Sequence, residues 1–129
     1  MKKIFTLLAA ALLLTACQES LNERAAREAR SYTQKNCPAR MGEWIIMDSM
    51  AFEAPTRTMA YYYRFTGVMD TTSAIRPDEM REQLLGGLRN STSMKLFKDN
   101  DFSFRYVYRS ERNPDQVLLE LKFEPKDYR

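Results

Sequence analysis

The chain has 129 residues, with 20 Lys and Arg against 17 Asp and Glu, and it contains no histidine. Ser-His-Asp and Cys-His catalysis therefore cannot be assembled from it, and the usual zinc sites lose their main nitrogen ligand. Two cysteines and a single tryptophan further narrow the chemistry available.

In chain order, the first element is Met1-Lys2-Lys3 followed by the apolar run Ile4 to Leu14 and then Leu14-Thr15-Ala16-Cys17. The run is about half of the ~20 residues a helix needs to cross a bilayer, so it reads as a processing signal and not as a permanent span. Leu14-Thr15-Ala16-Cys17 resembles the lipobox of bacterial lipoproteins. That resemblance implies a signal peptide over 1–16, cleavage before Cys17, lipid (palmitate among its acyl chains) on that cysteine, and a stable membrane anchor. In the enterobacterial members an aspartate after the cysteine marks inner-membrane retention. Gln18 stands there instead, so the resemblance implies the cell envelope and favours the outer membrane.

Removal of 1–16 takes Lys2 and Lys3 away and leaves 113 residues with 18 basic and 17 acidic side chains. This length suits a single domain over 17–129. Its near-neutral charge gives no reason to expect nucleic acid or an acidic bilayer as an electrostatic partner. Cys37 is then the one remaining thiol, without an internal disulfide partner. An intermolecular disulfide or a nucleophilic thiol is conceivable on composition. However, a thiol of low pKa needs a helix N-terminus or a basic neighbour, and Cys37 closes a helix just before Pro38, so an inert cysteine is expected. Oligomeric state is left open.

Residues 18–36 are expected to be helical, with Ser20 as N-cap, Glu23 three residues on, and Leu21, Ala25, Ala29 and Tyr32 on one face. From Glu43 to Glu53 the period changes to two, with Trp44, Ile46, Met50 and Phe52 opposed to Ile45, Met47, Ser49 and Ala51. After Ala54-Pro55-Thr56, the residues Met59, Tyr61, Tyr63 and Phe65 alternate with Thr58, Ala60, Tyr62 and Arg64, which completes a hairpin. Residues 67–76 read as a loop, and Pro77-Asp78-Glu79 opens a second helix with the stripe Met80, Leu84, Leu88. Gly86-Gly87 weakens that helix by about 1 kcal/mol per glycine, and close packing on the sheet is the expected reason for the pair. Phe102, Phe104, Tyr106 and Tyr108, and then Val117, Leu119, Leu121 and Phe123, mark two further strands, ended by Pro125.

The order α-β-β-α-β-β predicts an α+β fold: a four-stranded antiparallel sheet with two helices packed on one face. The layout resembles, loosely, small cystatin-like modules of bacterial lipoproteins. Tyr61-Tyr62-Tyr63-Arg64 is like Tyr106-Val107-Tyr108-Arg109, but the match equates a second strand with a third and so does not indicate a tandem repeat.

The aromatic faces read as core. The opposite face gathers Tyr62, Arg64, Arg105, Arg109 and Lys122 with Glu120 and Glu124, and is the candidate platform for an envelope protein or an acidic glycan. Asp48-Ser49-Met50 and Asp70-Thr71-Thr72 resemble the short O-glycosylation acceptor of Bacteroidota envelope proteins, which would place sugar on Thr71 or Ser49. Glu53, Asp70, Asp78, Glu79, Asp99 and Asp101 lie near turns or helix starts, where capping explains them. No catalytic pair, metal set or cofactor is expected. The sequence thus predicts a non-enzymatic binding or scaffolding lipoprotein. The second reading is a small-ligand binder with its site between sheet and helices, as in cystatin-like relatives.

Overall fold

The computed structural model describes residues 19–129; the signal segment and Cys17 lie outside the described residues. Helix α1 (Leu21–Asn36) begins as expected, with the Ser20 hydroxyl accepting the Glu23 backbone N–H at 3.1 Å. Its small face is what allows it to lie close to the sheet: Ala25 and Ala29 are buried, with Leu21 and Tyr32 packed alongside. It stops at Cys37, which is extended and whose N–H closes on the Thr33 carbonyl.

The sheet has five strands in the spatial order β1 (Ala39–Arg40), β2 (Ile45–Glu53), β3 (Thr58–Phe65), β4 (Ser103–Ser110) and β5 (Val117–Phe123). The two expected hairpins, β2–β3 and β4–β5, are present. The α+β class stands, with two short helices beyond the two expected and two corrections to the sheet. A two-residue strand, β1, pairs with Met47 and Ile46, making five strands where four were expected. The central pair β3–β4 is parallel, so the sheet is mixed and not antiparallel throughout. The cause is the long connection between them, which holds α2 (Pro77–Asn90) and α3 (Lys95–Asp99) and carries the chain back to the start of β3. There the Ser103 N–H donates to the Arg57 carbonyl at 3.0 Å.

Two bulges also change which residues face the core. In β2 the extra residue Asp48 falls between the pairs Met47–Tyr63 and Ser49–Tyr62. The phase therefore slips by one. Met47 is 3% exposed and joins Met50 and Phe52 on the core side, while Ile46 lies opposite Arg64 instead of facing inward as period two implied. In β5, Leu118 is the extra residue, so Val117 pairs with Arg109 and is 41% exposed, not buried as expected.

Helix α1 runs along β2. Beyond the reach of β1, the Met50 backbone is satisfied by a side chain: its N–H donates to Thr33 Oγ1 at 2.9 Å, and its carbonyl lies 3.0 Å from the same hydroxyl. Helix α2 packs instead on β5 and on α4 (Pro125–Tyr128). Its last carbonyls, Leu88 and Arg89, accept from Lys98 Nζ at 2.7 and 2.9 Å, and the Arg89 guanidinium reaches the Asp127 carbonyl at 2.7 Å. The two helices thus take opposite flanks of one face of the sheet and leave a gap above β3 and β4.

The loop after β3 is fastened from below. Asp70 is buried and accepts the Arg112 backbone N–H at 3.0 Å, with the Arg112 guanidinium on the same carboxylate. The Ser110 hydroxyl foremost, then these Arg112 groups, hold the Asp70 carboxyl below its ordinary value of 3.8. A depressed folded pKa means stabilisation that is complete above the unfolded value and lost as pH falls through the lower folded one. Asp70→Asn is accordingly expected to lower the urea midpoint at neutral pH, with the deficit shrinking on the acid limb. A deficit unchanged by acid would show that the charge on Asp70 does not stabilise this loop.

Candidate functional site

The likeness between β3 and β4 is an in-register parallel pairing: Tyr61 lies beside Tyr106, Tyr63 beside Tyr108 and Arg64 beside Arg109. Parallel neighbours in register present identical side chains to the same layer, so the tyrosines stack. Tyr61 and Tyr106 have ring centroids 4.9 Å apart and Tyr63 and Tyr108 4.7 Å apart, each with planes at 12°. Tyr61, Tyr63 and Tyr106 of this ladder form the floor of the gap between the helices.

Two adjoining hollows of about 340 and 450 Å³ occupy that gap and share Met41, Tyr61, Tyr63, Ser93 and Met94. On the α1 side the wall is Tyr32 with Met47 and Met50; on the α2 side it is Gln83, Leu84, Gly87 and Leu88. Met41, 52% exposed, stands at the rim. The result is an open apolar trough, with tyrosine hydroxyls and a few neutral polar groups along it.

None of the residues lining it is charged. Burial pushes the Tyr106 phenol up to about 12 and raises those of Tyr61, Tyr63 and Tyr108 as well, so the tyrosines stay neutral at ordinary pH. The Tyr61 hydroxyl donates to Met94 Sδ at 3.2 Å. Such a surface offers dispersion contact with flexible, polarisable methionines and occasional hydrogen bonds. It presents no cationic side chain to an anion. Among the described residues no group of three or more His, Cys, Asp or Glu is placed to hold a metal ion.

The glycine pair has a different setting from the one expected. A Cβ at Gly86 or at Gly87 would meet nothing within 4 Å, so the pair does not serve close helix–sheet packing. The side chains above the sheet already keep α2 at a distance, and Gly87 instead leaves its stretch of the trough wall bare. By contrast, Gly67 is sterically obligatory: its φ is +54° and a Cβ there would lie 2.6 Å from the Trp44 ring.

On the other face of the sheet, the residues singled out from sequence do come together, since Arg64 adjoins Arg109 and Arg105 adjoins Lys122. Two of the arginines are already answered. Arg105 is held by Glu53 at 2.8 Å, Glu120 at 2.9 Å and the Tyr62 hydroxyl at 2.9 Å. Hydrogen bonding to Glu120 and then Glu53, against the cost of burial, raises its guanidinium pKa. Arg64 lies 3.1 Å from Asp48 and 3.4 Å from Glu111, and Arg109 donates to the Pro114 carbonyl at 3.3 Å. The face is a mixed-charge network in which four carboxylates meet two arginines.

Ser49 sits in the β2 bulge and Thr71 before a 3-10 turn, both half-buried, with Thr71 Oγ1 3.3 Å from Ser73 Oγ. Cys37 is half-buried, and burial, followed by the Asp48 carboxylate, raises its thiol pKa and so disfavours the thiolate.

The chain belongs to the family described as Domain of unknown function (DUF8479), which matches residues 20–119. The prokaryotic membrane lipoprotein lipid attachment site matches residues 1–18. The protein is therefore a membrane-anchored envelope lipoprotein with a signal peptide. No curated protein matches the chain.

Three solved structures share the fold. The type 2 secretion system pilotin EpsS of Vibrio vulnificus has a TM-score of 0.68 at 12% identity, over 84% of this chain and 92% of that one. A protein of Pseudomonas aeruginosa described as secreted has a TM-score of 0.67 at 14% identity, over 87% and 100%. The type II secretion system pilotin AspS of Vibrio cholerae has 0.62 at 13% identity, over 83% and 91%. These likenesses concern the fold, and the expected resemblance to cystatin-like modules is not shown among them.

Proposed function

We propose that this is a non-enzymatic docking lipoprotein, held by lipid on Cys17 to the outer membrane, whose tyrosine-floored trough receives the apolar face of a helical segment from another envelope protein. The observation that carries the reading is the trough itself. A fold that covers both flanks of its sheet leaves a neutral, methionine-walled channel open along the middle. Helix-in-groove recognition uses such surfaces, because flexible thioethers adapt to the ridges of an incoming helix. The absence of charge in the lining favours an apolar protein surface over an acidic glycan. The pilotin fold, found in proteins that belong to a secretion system, agrees with a docking role.

A small apolar ligand is the second reading, and it is supported by the size of the hollows, which falls within the roughly 300–1,000 Å³ of ligand pockets. Gly87 separates function from fold in one experiment. Gly87→Ala fills no contact and is expected to stabilise α2 by about 1 kcal/mol. Gly87→Trp places an indole in the trough from an exposed helix position. Detergent extracts of the envelope are expected to yield a protein partner with wild type and Gly87→Ala and not with Gly87→Trp, at similar melting temperatures. Equal recovery with Gly87→Trp would remove the trough as the docking site.

A further inference from the structure

We propose that the domain stands on the bilayer by one defined end, with the turn Ala54–Arg57 and the loop Asp99–Asp101 against the lipid headgroups and the trough floor beginning about 13 Å above them, four strand residues beyond Arg57 at Tyr61. This rests on the acylation of Cys17 argued above. Only Gln18 and Glu19 separate that cysteine from the N-cap Ser20. An extended residue spans ~3.3–3.6 Å, so the tether reaches about 10 Å at most. Arg27 Nη2 and Nε donate to the Glu19 carboxylate at 2.6 and 3.1 Å, which draws residue 19 toward the second turn of α1. The first turn of the helix therefore cannot leave the headgroup zone.

What accompanies that turn follows from the topology. Thr33 meets Met50, and the chain beyond Cys37 enters β1, which pairs with Met47. Numbers rise along α1 as they fall along β2, so the start of α1 points toward Glu53 and the turn after it. The same end holds the beginnings of β3 and β4, paired at Thr58 and Ser103, and the Arg129–Asp101 ion pair. Arg57 lies exposed there, its guanidinium 4.6 Å over the Phe102 ring. At the opposite end lie Trp44, packed on Gly67, and the turn between β4 and β5.

The basic residues Arg57, Lys98 and Arg129 exceed Asp99 and Asp101 at this end by a single charge, so the tether and not charge sets the orientation. Tyr32 comes twelve residues after Ser20, which at 1.5 Å per residue puts the upper trough wall about 18 Å from the tether. A partner must present its helix at about that height above the membrane.

The test uses the full-length lipidated protein in zwitterionic vesicles, in a Cys37→Ser background carrying either Thr56→Cys or Asn113→Cys labelled with a fluorophore. Flotation with the vesicles reads the anchor, and quenching by a headgroup nitroxide lipid reads the orientation. Quenching is expected to be several-fold stronger for the label at position 56 than at 113, to be weak for Trp44, and to be unchanged by added anionic lipid. Protein that floats but shows equal quenching at both positions would overturn the orientation while leaving the anchor intact. Protein that does not float would overturn the anchor and the orientation with it.

Discussion

Replacing Phe102 by alanine is expected to cost about 3–5 kcal/mol of folding free energy. Its ring is fully buried, stacked on Phe97 at 5.0 Å and Phe52 at 5.5 Å, with the Arg57 guanidinium over it. It therefore joins α3, β2 and the β2–β3 turn at the point where β4 begins. The site has little freedom to collapse around a smaller residue, because the Phe102 carbonyl accepts from the Tyr128 hydroxyl at 2.8 Å and so fixes the backbone. A domain of this size holds roughly 5–15 kcal/mol in all, so the variant is expected to lie close to unfolding at ambient temperature. Urea denaturation followed by far-UV circular dichroism measures this. A loss under about 1 kcal/mol would mean that the phenylalanine cluster does not hold these elements together.

Replacing Cys17 by alanine is expected to remove acylation altogether and leave an uncleaved precursor. The effect is all-or-none because the thioether needs the sulfur, and the lipid is the source of anchoring, with each buried methylene worth ~0.8 kcal/mol. Among the described residues no helix is long and apolar enough to cross a membrane in its place. The first helix starts at Leu21, so the substitution is expected to leave the melting temperature of the domain unchanged. Metabolic labelling with a fatty-acid probe, read with electrophoretic mobility, checks both points. Label remaining on the alanine variant would show that the lipid sits elsewhere.

Much of the fold was legible in the residues. Ser20, Ala25 and Ala29 announced α1, and strict alternation announced four of the five strands, because burial on one face is a local constraint that each strand records for itself. Which strands are neighbours is not recorded in that way. The parallel β3–β4 pair left a trace nonetheless: Tyr61-Tyr62-Tyr63-Arg64 and Tyr106-Val107-Tyr108-Arg109 are alike because they lie side by side in register. The bulges at Asp48 and Leu118 were hidden, since an inserted residue shifts the phase without any compositional mark.

The trough escaped notice because its floor reads as core, and most of it is core. The discriminating signal was tyrosine in place of phenylalanine at positions 61, 63 and 106, together with a glycine pair that no packing demands. An aromatic surface that is wet at its hydroxyl edge selects tyrosine, whereas Phe65, Phe102 and Phe104 lie in the dry part of the same face. The alternation also put the arginines on one face, but Glu53 and Glu120 lie on strands whose pairing decides whether they reach Arg105.

Site-specific photocrosslinking in intact cells tests the docking role most directly, with the crosslinker placed at Met41 on the trough rim or at Val68, which is 66% exposed and outside the trough lining. The predicted result is a discrete adduct from position 41 to one envelope protein, mapping to an amphipathic helical segment and missing from position 68. No protein adduct from position 41, or the same adducts from both positions, would contradict a trough that docks a partner helix.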